Sequence, residues 1–230
     1  MGFADLHIHS VFSDGSFTPE RIVSEAKARN VNLIAVCDHN VTEGSMRTLS
    51  PARAAGICCI PGVEIDSIYR GCDVHLLCYG ADAGYAPLNA QIRHARFVLD
   101  AMSTDLLNRM IADGYPFDPE EYARFEHDTS LGGWKMLEYL KAKRTITKLH
   151  DAFPLYERYG VTYERAGFEG ADTILNSIHA AGGKAVIAHP GVTFPHEDIR
   201  EFERILNEIL DMGADGIECH YPRWAASRRT

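Results

Sequence analysis

The sequence predicts an α/β protein in which strands and helices alternate around a parallel sheet or barrel, interrupted by a long helical stretch. Three observations carry that prediction. Short apolar segments recur between amphipathic, capped helical segments over the first 84 residues and again after Gly170. Residues 85–170, between them, hold no convincing strand. His, Asp and Glu side chains stand on, or just after, one apolar strand after another.

Residues 4–9 (ADLHIH) alternate apolar and polar and form the first strand. Thr18-Pro19-Glu20 starts a helix: Thr as N-cap, Pro at the first helical position, an acid in the first turn. Ile22, Val23, Ala26 and Ala28 continue it to about Asn30. Residues 32–37 (NLIAVC) are continuously apolar, as in a strand buried on both faces. A weaker helix covers about 46–55, and strands are expected at 57–65 and 73–79. A long helix follows at 88–112, with apolar residues at helical spacing. Asp118-Pro119-Glu120-Glu121 opens another, and 134–140 and about 149–156 also read as helical. The basic residues of this stretch (Lys135, Lys141, Lys143, Arg144, Lys148) read as a solvated helix face. Asp172 is expected to cap a helix through Ala181, which Gly182-Gly183 ends. Residues 184–188 are a strand ending in His189-Pro190, 196–212 a helix, and 216–220 a last strand.

Composition bounds the function. The 230 residues suit one domain, or one domain with an insertion, and can bury a sizeable core. With 46% hydrophobic and 24% charged residues, the chain reads as an ordinary soluble globular protein. No apolar run is long enough to cross a bilayer and no signal-peptide pattern opens the chain, so a cytoplasmic location is the expectation. A formal net charge of -9 argues against sequence-independent binding of long nucleic acid, which needs a basic surface. A nucleotide stays compatible, because bound divalent cations reverse the local sign of an acidic pocket. The six cysteines form no C-x-x-C pair and are expected to be reduced, mostly buried thiols.

The chemistry begins at Asp5-Leu6-His7-Ile8-His9-Ser10. Residues i and i+2 of a strand share a face, so His7 and His9 point the same way and make half a metal site. Alone, His-x-His is weak. It is followed by Asp14 in Ser13-Asp14-Gly15, Asp38-His39 after the second strand, Pro61-Gly62-Val63-Glu64, Asp73-Val74-His75 and Ala188-His189-Pro190. In a parallel barrel the strand ends open on one face. So many imidazoles and carboxylates converging there need a common partner, and a metal supplies it. The set is His-rich with carboxylates and no thiolate, which suits zinc, manganese or iron rather than calcium or magnesium. It is too large for one ion. Two or three divalent ions are implied, with Glu64 able to bridge a pair.

These motifs (D-L-H-x-H-S, S-D-G, D-H-N, P-G-x-E, H-L-L and A-H-P, in that order) resemble the polymerase and histidinol phosphatase (PHP) superfamily of metal-dependent phosphoesterases. The resemblance implies a distorted (β/α)7 barrel formed by residues 1–84 and 171–230, with 85–170 as an all-helical cap. It implies hydrolysis of a phosphomonoester or phosphodiester of a small nucleotide-like substrate by metal-activated hydroxide. His7 and His9 would hold a first metal, Glu64 would bridge it to a second held by His75 and His189, and Asp14 and His39 would bind a third. Asp38, and Asp5 for the first strand, would orient metal-bound rings. Glu64, His189 and Asp38 are the catalytic candidates. His189 and His220 are candidates for the general acid.

The resemblance further implies a late Asp and His in a G-S-D-x-H-G setting, and the sequence has no such segment. Either the chain is a truncated form of a longer protein, with its barrel incomplete at the C-terminus, or the site is assembled differently. Glu218 and His220, sharing a face of the last strand, are the residues that could substitute. Three rival readings remain. One is a metal amidohydrolase, although no strand-end lysine suited to carboxylation is evident. Another is an inactive remnant that binds metal or nucleotide, and the third is a histidinol-phosphatase-like enzyme.

Overall fold

The computed structural model describes residues 2–194 and 198–221. Among these residues, seven strands fall into two sheets. β1 (Phe3–Ile8), β2 (Val31–Val36) and β3 (Cys58–Cys59) pair in parallel. β4 (Gly62–Tyr69), β5 (Cys72–Tyr79), β6 (Lys184–Ile187) and β7 (Gly216–Ile217) form the second sheet in that order. The sheets meet where the chain beyond β2 runs beside β4: Asn40 N–H donates to Glu64 O, and Glu64 N–H donates to Asp38 O. Among the described residues, no strand pairing joins β7 to β1.

The α/β class is as expected, but the uniformly parallel sheet is not. β4 and β5 form an antiparallel hairpin, and β6 runs antiparallel to β5. The expected strand 57–65 is two strands, broken at Ile60-Pro61, because proline has no N–H to give the ladder. The second of them runs on to Tyr69. The last strand stops at Ile217, so Glu218 and His220 lie beyond it.

Among the described residues, ten α-helices surround the sheets. α1 (Pro19–Ala28) starts as its sequence requires, Thr18 Oγ1 accepting the Arg21 N–H. α2 (Glu43–Ala55) follows β2. α3 (Ala86–Ala112), α4 (Pro119–Arg124), α5 (Lys135–Ala142), α6 (Phe153–Arg158) and α7 (Tyr163–Ala166) occupy the stretch without strands. α8 (Ala171–Ala180) is capped by Gly170, which places Asp172 in its first turn rather than at the cap. α9 (Pro190–Thr193) is a single turn after His189. α10 (Ile199–Asp211) is capped by Asp198, and His196 and Glu197 of the expected helix lie outside the described residues.

Alternation along the strands separates core from site. Ile34 and Val36 of β2 pack with Ile22, Val23, Ala26 and Ala52 of α1 and α2. Val63 and Ile65 of β4 and Val74, Leu76 and Cys78 of β5 face α3, α5 and α8 in one continuous core. The opposite, inner face carries Glu64 and Asp66 of β4 and His75 and Leu77 of β5. Leu77, Ala35, Cys37 and Ala188 make a small apolar floor there. All six cysteines are free; Cys37 and Cys78 are buried, whereas Cys58 and Cys219 are exposed, contrary to the expectation of mostly buried thiols.

Candidate metal centre

Glu64 is the hub. Its side chain is 0% exposed, yet it carries a carboxylate. Five imidazoles surround it. Oε1 lies 3.1 Å from His75 Nδ1 and 2.9 Å from His189 Nε2. Oε2 lies 3.0 Å from His7 Nε2, 3.2 Å from His9 Nε2 and 3.4 Å from His39 Nε2. Among the described residues, no Lys or Arg pairs with it. Burial alone would raise its pKa. The charge of His39 and hydrogen bonds from His189, His7 and His75 outweigh that and hold the carboxyl well below its usual range.

Each ring reaches the hub from its own element. His7 is on β1 and His9 just beyond it, with Nε2 atoms 2.9 Å apart, as the two-residue spacing requires. His75 is on β5. His39 leaves β2 beside Asn40, and both sit where that chain pairs with β4. His189 has φ 26°, a strained value for a non-glycine residue, and its N–H donates to Glu218 Oε2 at 2.8 Å.

Behind the rings stand further acids. Glu218 accepts from His7 Nδ1 at 3.1 Å. Asp14 Oδ1 lies 3.1 Å from His9 Nδ1, on the side away from Glu64. Asp66 Oδ1 lies 3.0 Å from His39 Nδ1 and 3.6 Å from His75 Nε2. Sequence reasoning missed Asp66, although its place two residues after Glu64 on one strand was the available signal. The acids shift the rings. Burial lowers the His9 pKa, but bonds to Asp14 and Glu64 push it up to about 10. His75 rises to about 9 for the like reason, with Asp66 and Glu64 overriding burial. Burial dominates at His189 and lowers its pKa, which favours the neutral imidazole that ligates a metal.

Three expected roles are corrected. Asp38 touches none of the rings. It is fully buried beneath the loop after β1, where Oδ1 accepts Ser10 N–H (2.7 Å) and Ser13 Oγ–H (2.6 Å) and Oδ2 accepts Ser10 Oγ–H (2.6 Å). It therefore shapes the loop that bears Asp14. Asp5 Oδ1 accepts the His7 backbone N–H at 3.4 Å rather than a ring N–H. His220 is exposed, so of the two substitutes only Glu218 joins the centre.

The residues fit divalent ions. Among the described residues, three clusters offer donor atoms within 4.8 Å of one another: His7, Glu64 and His189; His9, His39 and Glu64; and His39, Asp66 and His75. Ligand atoms in a tetrahedral zinc site lie about 3.4 Å apart, close to the separations around Glu64. His189 Nδ1 and His75 Nε2, the ring nitrogens turned away from Glu64, are buried without a hydrogen bond. Aromatic rings wall the centre: Trp134 is 5.6 Å from His39, Tyr163 6.0 Å from His75 and Tyr221 4.9 Å from His189. Trp134 is placed by a backbone bond from Gly133 N–H to Asp14 O.

Comparison with known proteins agrees with this geometry. The model of the PHP domain family matches residues 5–219. The chain is 29% identical over 187 residues to a 5'-3' exoribonuclease of Haemophilus influenzae, covering 81% of this chain and 68% of that protein. It is 27% identical to the 3',5'-nucleoside bisphosphate phosphatase of Chromobacterium violaceum, covering 95% and 76% of the two chains. A solved amidohydrolase of the same organism, with sulfate bound and no metal, superposes with a TM-score of 0.74 at 26% identity, over 93% of this chain and 75% of that one.

Proposed function

The chain belongs to the PHP domain family, and on that premise we propose that it is a metal-dependent phosphoesterase hydrolysing a phosphomonoester or phosphodiester of a small nucleotide-like substrate. One observation carries the reading: a fully buried carboxylate whose two oxygens are ringed by five imidazoles. His7 and His9 with Glu64 Oε2 would hold one divalent ion, and His75 and His189 with Oε1 a second. His39, with Asp14 across His9, is left for a third. Zinc, manganese and iron suit such donors. When bound, such ions would lower the pKa of water so that a hydroxide is available to attack phosphorus, and would neutralise charge on the phosphoryl oxygens.

The chain's own groups do the rest. Glu64 remains ionised and spans the two ligand sets. Glu218 holds His7 through Nδ1 and the His189 backbone through its N–H, so one carboxylate orients two ligands. Leu77, Ala35, Cys37 and Ala188 close the floor and exclude water beneath the centre. Residues 85–170 serve as the cap over a body made of 1–84 and 171–230. Support comes from Trp134 and Tyr163, which this stretch places beside His39 and His75. A planar base stacks on such aromatic walls. The relatives act on RNA and on a nucleoside bisphosphate, by their names.

The test is a substrate panel on protein loaded with zinc, manganese or iron: a nucleoside 3',5'-bisphosphate, a dinucleotide, histidinol phosphate, and an amide and a lactone. Phosphate or nucleotide release, with preference for the nucleotides, is expected. Amide or lactone hydrolysis with no phosphoester cleavage would overturn the reading and favour an amidohydrolase, the activity named for the structural neighbour.

A further inference from the structure

Asp66 is buried to 0% side-chain exposure, and both its oxygens are committed. Oδ2 accepts from Asn40 Nδ2 at 2.8 Å and from Tyr163 Oη–H at 3.3 Å. Asn40 also accepts the Asp66 N–H through its own Oδ1 at 2.9 Å, so one side chain brackets the residue at two points. To do so Asn40 takes φ 54°, a left-handed conformation that Asn tolerates better than most residues. This bracket locks the carboxylate and leaves Oδ1 facing two rings: it is hydrogen-bonded to His39 Nδ1 at 3.0 Å and lies 3.6 Å from His75 Nε2, at ion-pair distance and just beyond hydrogen-bond length. On both rings the opposite nitrogen faces the hub: His39 Nε2 toward Oε2 and His75 Nδ1 toward Oε1 of Glu64.

We propose that Asp66 is a positioning residue that fixes His39 and His75 in opposite tautomers, Nδ1–H on His39 and Nε2–H on His75, so that His39 Nε2 and His75 Nδ1 present their lone pairs to the ions at Glu64. The inference rests on the metal-binding part of the reading above and not on the substrate. An imidazole ligates only through an unprotonated nitrogen, and a carboxylate beyond the ring decides which nitrogen that is. Here one carboxylate serves two rings. The register makes this possible, because Asp66 and His75 are directly paired across β4 and β5. Tyr163, bonded to the same carboxylate, ties the helical stretch to the tautomers of the centre.

Nitrogen-15 long-range correlation spectra of the zinc-loaded protein read the tautomers, with His39→Gln and His75→Gln assigning the signals. Nδ1–H on His39 and Nε2–H on His75 is the expected result. The same three residues could instead ligate an ion directly, but that requires both of those nitrogens to be bare, and finding them so overturns the proposal. Asp66→Asn should lower zinc affinity about 10- to 100-fold in chelator competition, with the circular dichroism spectrum unchanged. An affinity within twofold of the parent overturns it. Should Asp66→Asn not fold, the spectra of the parent protein still decide. A chain with the expected tautomers and no phosphoesterase activity would sink the functional reading while sustaining this one.

Discussion

Replacing Glu64 by Gln tests the centre most directly. The change keeps shape and removes one charge from a site with 0% exposure and five ring nitrogens within 3.4 Å. The loss has two parts. In the metal-free protein, protonated rings such as His9 and His75 lose their shared counter-charge. Breaking a buried pair by removing one partner costs about 3–5 kcal/mol, which at roughly 2–4 °C per kcal/mol lowers Tm by about 6–20 °C. In the loaded protein, the amide is a far poorer bridge between the two ligand sets. If charge stabilisation worth about 4 kcal/mol goes with it, kcat falls roughly 10³-fold. The assay pairs metal content by plasma mass spectrometry with phosphate release and a melting curve. At least two equivalents are expected in the parent and fewer than one in the variant. A variant that keeps its metals and stays within tenfold of parental kcat would refute the placing of Glu64 at the hub.

Other consequences can be checked alongside. His9 and His75 have folded-state pKa values raised to about 10 and about 9, against about 6.5 when unfolded. Their stabilisation is whole below about pH 6.5 and is lost as pH rises through 9 to 10. The Tm of metal-free protein should therefore fall between pH 7 and 10, and a flat profile would contradict the ion pairs. Metal loading needs those rings deprotonated, so zinc binding at pH 7.5 should release protons, measurable by calorimetry in two buffers of different ionisation enthalpy. Gly44→Ala would drive a Cβ into Asp38 Oδ2 and Ser10 Oγ. It should cost about 1–3 kcal/mol by thermal denaturation, while a normal Tm would show that the loop after β1 is not held as described. Trp134→Ala should raise KM for a nucleotide roughly 5- to 100-fold and leave glycerol phosphate little changed, and an equal effect on both would remove the stacking role.

The parts of the centre that the sequence reveals are those set by local geometry. His7 and His9 share a face by strand period alone, and both sit at Glu64. Thr18 and Asp118 cap helices, and Pro19 opens the first of them, as their chemistry requires. What was missed depends on long-range pairing. Asp38 precedes His39, so adjacency suggested that it serves the ring. Its neighbours in space are Ser10 and Ser13, which local sequence does not bring to it. Glu218 and Asp14 likewise find their rings only through the fold.

Asp66 shows how the gap could have been closed. Strands were expected at 57–65 and 73–79, both parallel to their neighbours. Seven residues separate those ranges, and a parallel crossover needs a dozen or more. Only a hairpin fits, and the turn is Arg70-Gly71, with φ 51° and 79°, as a two-residue turn of two left-handed residues requires. Asn-Gly would have announced it, whereas Arg at the first position did not. Once the hairpin is admitted, β4 extends to Tyr69 and its inner face carries Glu64 and Asp66 in alternation. The register then sets Asp66 opposite His75. A buried acid beside a buried imidazole, two residues from the hub, is thus a consequence of loop length and strand period, and with it the second carboxylate of the centre.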